Sequence, residues 1–150
     1  MKTIAIAMAV TAVLSLCALG AEPERFNNTI CPVMGTKIPF TAEGSKSFIV
    51  HEGIRYEFCC PGCDATFKED PAKCLAKLPN NGKIVDLGNA LCPVMGGKVD
   101  KNVSVVYNGT RVHFCCPDCI KTFTADPEKY LKIAREKMNP APEPSLTVAP

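Results

Sequence analysis

Asn28-Thr-Ile-Cys-Pro-Val-Met-Gly-Thr-Lys-Ile38 returns as Asn89-Ala-Leu-Cys-Pro-Val-Met-Gly-Gly-Lys-Val99. Further on, Ile49 to Leu75 aligns with Val105 to Leu131, and more than half of all the aligned positions are identical. The chain is therefore one small unit written twice, and this internal repeat decides the architecture. The copies differ most between the aligned blocks, where the first has residues 39–48 and the second only 100–104.

Each unit is small, and its composition is unusual. The 150 residues include 10 Cys and 13 Pro, no Trp, 7 Phe and 3 Tyr. So few large apolar side chains build only a thin core. Chains of this kind are held by disulfides or metal ions. Lys and Arg number 17 against 15 Asp and Glu, a net charge of +2. That leaves no basic footprint for nucleic acid. Neither a Ser/His/Asp set nor a Gly-rich phosphate loop stands out, so the sequence reads as a non-enzyme.

Working outward from the repeats, residues 1–20 read as a secretory signal. Lys2 precedes an apolar run from Ile4 to Leu19, broken only by Thr11 and Ser15, and Ala18-Leu-Gly-Ala21 supplies small residues for cleavage. The run is shorter than the roughly 20 residues of a membrane span. Export to the periplasm or the extracellular space is the expectation, with no membrane span after cleavage. The mature chain divides into an N-terminal segment 21–27, repeat 1 at 28–78, a linker 79–88, repeat 2 at 89–138 and a Pro-rich tail 139–150, which reads as disordered. The linker is short, so the copies should touch, packed with pseudo-two-fold symmetry.

Within each repeat, local signals are strong. Val103 to Tyr107 and Thr110 to Phe114 flank Asn108-Gly109, a hairpin signature. Ser47 to His51, Glu52-Gly53 and Ile54 to Phe58 occupy the same place in repeat 1. A short helix then ends near Phe67 or Phe123. Asp70-Pro71 and Asp126-Pro127 open a second helix, with Asp as N-cap and Pro at the first helical position. Phe67, Leu75, Phe123 and Leu131 read as core.

The cysteines fall at metal-ligand spacing. Cys31 and Cys92 each open a tight turn, and Cys59-Cys60-Pro-Gly-Cys63 and Cys115-Cys116-Pro-Asp-Cys119 stand where the hairpin meets the helix. A hairpin returns the chain to its starting turn, so three thiols converge per copy: Cys31, Cys59 and Cys63, then Cys92, Cys115 and Cys119. Cys60 and Cys116 are open to three uses: completing a four-thiolate site, binding a second ion, or pairing across the copies. Met34 and Met95 are further candidates. A thioether there would favour Cu(I) over Zn(II), although apolar filling under the turn is the simpler expectation. His51 and His113 read as surface strand residues rather than ligands. Cys74 aligns with Tyr130 and reads as a buried free thiol, or else as the source of an intermolecular disulfide and a dimer.

Copy two, with Cys92-x22-Cys115-x3-Cys119, Tyr107-x-Gly109 leading to Phe114-Cys115, then Phe123 and Asp126-Pro127-x-Lys129-Tyr130-Leu131, resembles the YHS/TRASH group of small heavy-metal domains. The resemblance covers most of 28–78 and 89–133. It implies an α+β fold of two treble-clef-like, Cys-rich repeats, each a β-hairpin plus helices. It implies binding of copper, zinc or a related ion, with roles in metal trafficking, resistance or sensing. A metal transporter or efflux component is the corresponding partner. In the usual YHS opening an Asp stands where Cys31 and Cys92 stand here, and a Cys stands where Met34 and Met95 stand.

Two other readings compete with metal binding. Export and Cys content fit a disulfide-stapled interaction module, but the mature chain keeps an odd number of cysteines and two vicinal pairs, which bridge only with strain. Cys60-Pro-Gly-Cys63 and Cys116-Pro-Asp-Cys119 have the look of a thiol–disulfide oxidoreductase, yet no βαβ frame surrounds them. Energetics favour metal: a structural zinc site contributes about 10–16 kcal/mol in small peptides, against about 3–5 kcal/mol from so thin a core.

Overall fold

The computed structural model describes residues 22–138. The signal sequence read at 1–20 and the tail read at 139–150 lie outside the described residues.

Two α+β units follow one another, built from the same parts. In repeat 1, β1 (Glu24–Arg25), β2 (Ser47–His51) and β3 (Ile54–Phe58) form a sheet ordered β1-β3-β2, followed by α1 (Cys63–Glu69) and α2 (Pro71–Leu75). In repeat 2, β4 (Val85–Asp86), β5 (Asp100–Tyr107) and β6 (Thr110–Phe114) form a sheet ordered β4-β6-β5, followed by α3 (Pro117–Ala125) and α4 (Pro127–Ile133). A 3-10 turn at Pro79–Gly82 joins them.

The hairpins form where β-forming residues flank residues able to take positive φ. Asn108 (φ 47°) and Gly109 (φ 71°) make one tip, and Glu52 and Gly53 (φ 51° and 79°) the other. Strand β5 is longer than its sequence signal, beginning at Asp100 with a register shift between Asp100 and Ser104. The Asp-Pro helix starts hold as expected. Asp70 accepts from the Lys73 N–H at 3.0 Å and Asp126 from the Lys129 N–H at 3.3 Å. Each satisfies a helix N–H that has no partner within the helix.

Strands β1 and β4 carry no sequence signal. Each runs parallel to the second hairpin strand, Glu24 beside Ile54 and Val85 beside Thr110. They make β3 and β6 central strands, which is why the ends of those strands are buried.

Each repeat has its own aromatic core. Phe67 packs against Tyr56 and Phe58 with ring centroids 5.8 and 5.7 Å apart, and Phe26 lies tilted against Tyr56 at 5.4 Å. In repeat 2, Phe123 meets Phe114 at 5.3 Å and Tyr107 at 6.0 Å. Phe40, from the extra residues of repeat 1, reaches across to Tyr107 at 5.1 Å and packs on the second core. The length difference between copies thus serves contact between them. Leu131 and Phe123 are buried as expected, while Leu75 is only partly so.

The repeats touch through hydrogen bonds. Asn27 Nδ2 donates to the Val106 carbonyl at 2.7 Å, and the Asn108 and Gly109 N–H groups donate to the carbonyls of Asn27 and Phe26. The Thr29 N–H donates to Asn108 Oδ1 at 2.8 Å, and Arg111 pairs with Glu24. A two-fold arrangement would repeat the Asn27–Asn108 contact between Gly88 and Glu52, the aligned positions. Among the described residues no main-chain bond joins Glu52 and Gly88. The contact is therefore head-to-tail rather than pseudo-two-fold.

Candidate metal centre

The opening turn shapes the first thiol. The Gly35 N–H donates to the Cys31 carbonyl at 2.8 Å, and the Cys31 N–H donates to the Thr36 carbonyl at 2.8 Å. In repeat 2, Gly96 and Cys92 make the same first bond at 2.8 Å, and Cys92 closes on Gly97 at 2.7 Å. Gly35 and Gly96 sit at φ 71° and 72°, a conformation that costs an L residue about 1–2 kcal/mol. The turn folds its N–H groups around the buried sulfur. Burial pushes the Cys31 thiol up, but hydrogen bonds from the N–H groups of Cys59, Met34 and Val33 outweigh it and hold the thiol below its ordinary range. Burial likewise opposes Met95, Cys115 and Val94 N–H bonds at Cys92, with the same net lowering. Both opening turns thus shift their thiol toward the thiolate, the form that binds metal, and in repeat 2 hydrogen bonds with Cys119 lower the Cys116 thiol as well.

The second and third thiols come from the strand-to-helix junction, and the fold brings them to the first. The sulfurs of Cys31, Cys59 and Cys63 all lie within 4.8 Å of one another, and so do those of Cys92, Cys115 and Cys119. Cys31 and Cys63 are 3.8 Å apart, Cys115 and Cys119 3.6 Å. Bonds of about 2.3 Å to a tetrahedral zinc set sulfurs about 3.8 Å apart, so the donor set fits such an ion with little movement. Cys63 and Cys119 are buried, and burial followed by the neighbouring thiols pushes each far above the ordinary thiol range. Three acidic protons cannot all leave so small a space without a cation to take their place.

The fourth thiol sits differently. Cys60 Sγ lies 3.2 Å from Cys63 Sγ and 3.8 Å from Cys59 Sγ, and Cys116 Sγ lies 3.2 Å from Cys119 Sγ. Cys60 and Cys116 do not pair across the copies; each stays within its own repeat. Cys74 is buried in the first core, outside the converging thiols.

Two expectations are corrected. Met34 and Met95 do not fill space under the turn: they are 64% and 72% exposed, and Val33 and Val94 pack inward instead. His113 is not a surface residue. It is buried on the central strand β6 with Nε2 2.9 Å from Asp86 Oδ2, and it stands outside the thiol group. His51 is half-buried with its ring 5.6 Å from that of Phe67.

Asn28 and Asn89 were not legible as site residues. Asn28 Nδ2 donates to the carbonyls of Ile30 and Glu57, both at 2.8 Å, while its Oδ1 accepts from the Glu57 N–H at 2.9 Å. Asn89 repeats this with Leu91 and His113 at 2.9, 2.9 and 3.0 Å. Each clasp ties the opening turn to the strand that delivers the later cysteines. The only sequence signal was that both asparagines survive in the duplicated block.

Residues 92–134 match the YHS domain family model. No curated protein and no solved structure matches the chain. Residues 24–82 lie outside that match, yet they carry the same sheet order and the same thiol triad, so the tandem repeat stands on structure as well as sequence. Among the described residues, no helix is long and apolar enough to cross a membrane.

Proposed function

We propose that this chain is an exported heavy-metal-binding protein with two thiolate sites, acting in metal trafficking, resistance or sensing in the periplasm or outside the cell. Cys31, Cys59 and Cys63 hold one ion, and Cys92, Cys115 and Cys119 hold the other. The observation that carries this reading is the convergence of six separated cysteines into two equivalent triads. Soft thiolates suit Cu(I) and Zn(II), and the N–H-lined turns at Cys31 and Cys92 favour the thiolate form. The YHS match over repeat 2 supports the same reading, as does the TRASH-like spacing of its cysteines, and a treble-clef-like unit is the form such a site takes. A binding rather than a catalytic role is supported by the side chains that converge among the described residues, which are thiols at metal-ligand separations. A metal transporter or efflux component is the partner class that such cargo calls for.

The test is a titration of the reduced full chain with Zn(II), and with Cu(I) under anaerobic conditions. Two equivalents should bind. Cys119→Ser should lose about one equivalent and destabilise repeat 2 before repeat 1. Unchanged stoichiometry in that variant sinks the ligand assignment.

A further inference from the structure

Each triad has a neighbouring thiol that the metal reading leaves without a role. Cys60 and Cys63 are separated by Pro61-Gly62, and Cys116 and Cys119 by Pro117-Asp118. Both pairs place their sulfurs 3.2 Å apart, closer than Cys31 and Cys63 at 3.8 Å or Cys115 and Cys119 at 3.6 Å. That is closer than the roughly 3.8 Å that two thiolates keep when they share an ion. It is about 1.2 Å from the 2.05 Å of a disulfide. The alternatives are poorer. Cys59 and Cys60 are vicinal and 3.8 Å apart, while Cys31 and Cys63 are 3.8 Å apart and both buried. Cys60 and Cys116 are only partly buried, and each is paired with a buried triad member. An open recess lined by Ser47, Phe48, Cys59, Cys60, Pro61 and Gly62 gives a small molecule access to Cys60.

We propose that Cys60–Cys63 and Cys116–Cys119 are redox modification sites, whose oxidation to disulfides by a low-molecular-weight disulfide removes one ligand from each triad and releases the metal. This rests on the two-site metal reading above. The accessible thiolate, Cys60 or Cys116, attacks one sulfur of the small disulfide. Its sulfur–sulfur bond breaks, one small thiolate leaves, and a mixed disulfide forms. The sulfur of Cys63 or Cys119, a thiolate because it holds the ion, then attacks the protein sulfur of that mixed disulfide and expels the second small thiolate. The two protein sulfurs lose two electrons and one small disulfide gains them; the proton of Cys60 or Cys116 goes to one small thiol, and the second small thiolate takes a proton from solvent as the ion leaves the Cys63 or Cys119 sulfur. A triad left with two thiolates holds its ion weakly.

The full chain loaded with Zn(II), which takes no part in the redox step, is treated with oxidised glutathione. Zn(II) release is followed with a chromogenic chelator, remaining thiols are alkylated, and the bridges are mapped by tandem mass spectrometry. The expected result is bridges at Cys60–Cys63 and Cys116–Cys119 with release of both ions. Cys60→Ser/Cys116→Ser should still bind two Zn(II) and release them at least tenfold more slowly. Bridges between other pairs, or release from the variant at the unmodified rate, overturn the proposal. Binding of fewer than two ions by the variant also overturns it, because the fourth thiols are then ligands. If the unmodified chain takes up no Zn(II), the metal reading fails instead, and the bridge map of the oxidised apo chain still decides the pairing proposed here.

Discussion

His113 Nε2 lies 2.9 Å from the carboxylate of Asp86, and the first repeat carries a matching pair at the same two positions with the acidic residue on the other strand. There Glu57 occupies the His113 position and Arg25 the Asp86 position, with 3.5 Å between Arg25 Nε and Glu57 Oε1. In both repeats the pair fastens the short parallel strand, β1 or β4, to the strand that leads into the metal thiols.

The Asp86 contact makes stability pH-dependent. The hydrogen bond from His113 holds the Asp86 carboxyl below the usual carboxylate range against the opposing effect of burial, and the Gly88 N–H adds to it. A carboxyl lowered in the folded state stabilises above its unfolded pKa of about 3.9, and that stabilisation is lost as pH falls through the folded value. Asp86→Asn should therefore lower stability between pH 5 and 7 and converge with the parent once pH falls below the lowered folded-state value. The side chain is half exposed, so the loss should stay under about 1 kcal/mol. Urea denaturation at a series of pH values reads this; a constant difference at every pH would contradict it.

Asn28 and Asn89 should be costlier to remove than any surface residue. Each is 3% exposed and makes three hydrogen bonds to main chain. Asn89→Ala strands the partners in a dry site and should cost about 2–3 kcal/mol, with weaker metal binding in repeat 2 alone. Thermal denaturation and metal competition together check this, and a neutral variant would remove the clasp from the account.

Gly96 and Gly97 are adjacent but should respond differently. Gly96 holds φ 72° with no atom within 4 Å of an added Cβ, so only backbone strain opposes a side chain. Gly97 has neither positive φ nor a crowding neighbour. Gly96→Ala should lose about 1–2 kcal/mol, whereas Gly97→Ala should change stability by less than about 0.5 kcal/mol. Equal effects in chemical denaturation would mean that the turn conformation is not what positions Cys92.

Cys74 tests the boundary of the site. Being 5% exposed and packed in the first core, it should matter for stability and not for metal. Cys74→Ala should cost about 1 kcal/mol and leave two equivalents bound. Loss of an equivalent would make Cys74 a ligand.

Much of this was readable in the residues. Asn108-Gly109 and Asp126-Pro127 encode their turn and helix start locally, so they could be placed without tertiary information. The triads were readable because the hairpin between Cys92 and Cys115 has to return the chain to its beginning. What escaped depends on distant partners. A two-residue strand such as Val85–Asp86 has no period, and it exists only because β6 offers an open edge. That added neighbour is what buries His113, which alternation along a hairpin alone would leave outside. Met34 and Met95 carry an apolar signature, but the tight turn points Val33 and Val94 inward in their place. Phe40 could not be assigned to the core of repeat 2 from a segment that looks like an insertion in repeat 1.

The most direct test of the two-site account is a native mass spectrum of the protein, isolated anaerobically from its own compartment without reductant or chelator. The account predicts a mass two metal ions above the reduced apo chain, both lost on denaturation. A chain carrying no metal, with its mass lowered by two hydrogens for each of several bridges spanning the triads, would contradict it and return the cysteines to a structural stapling role.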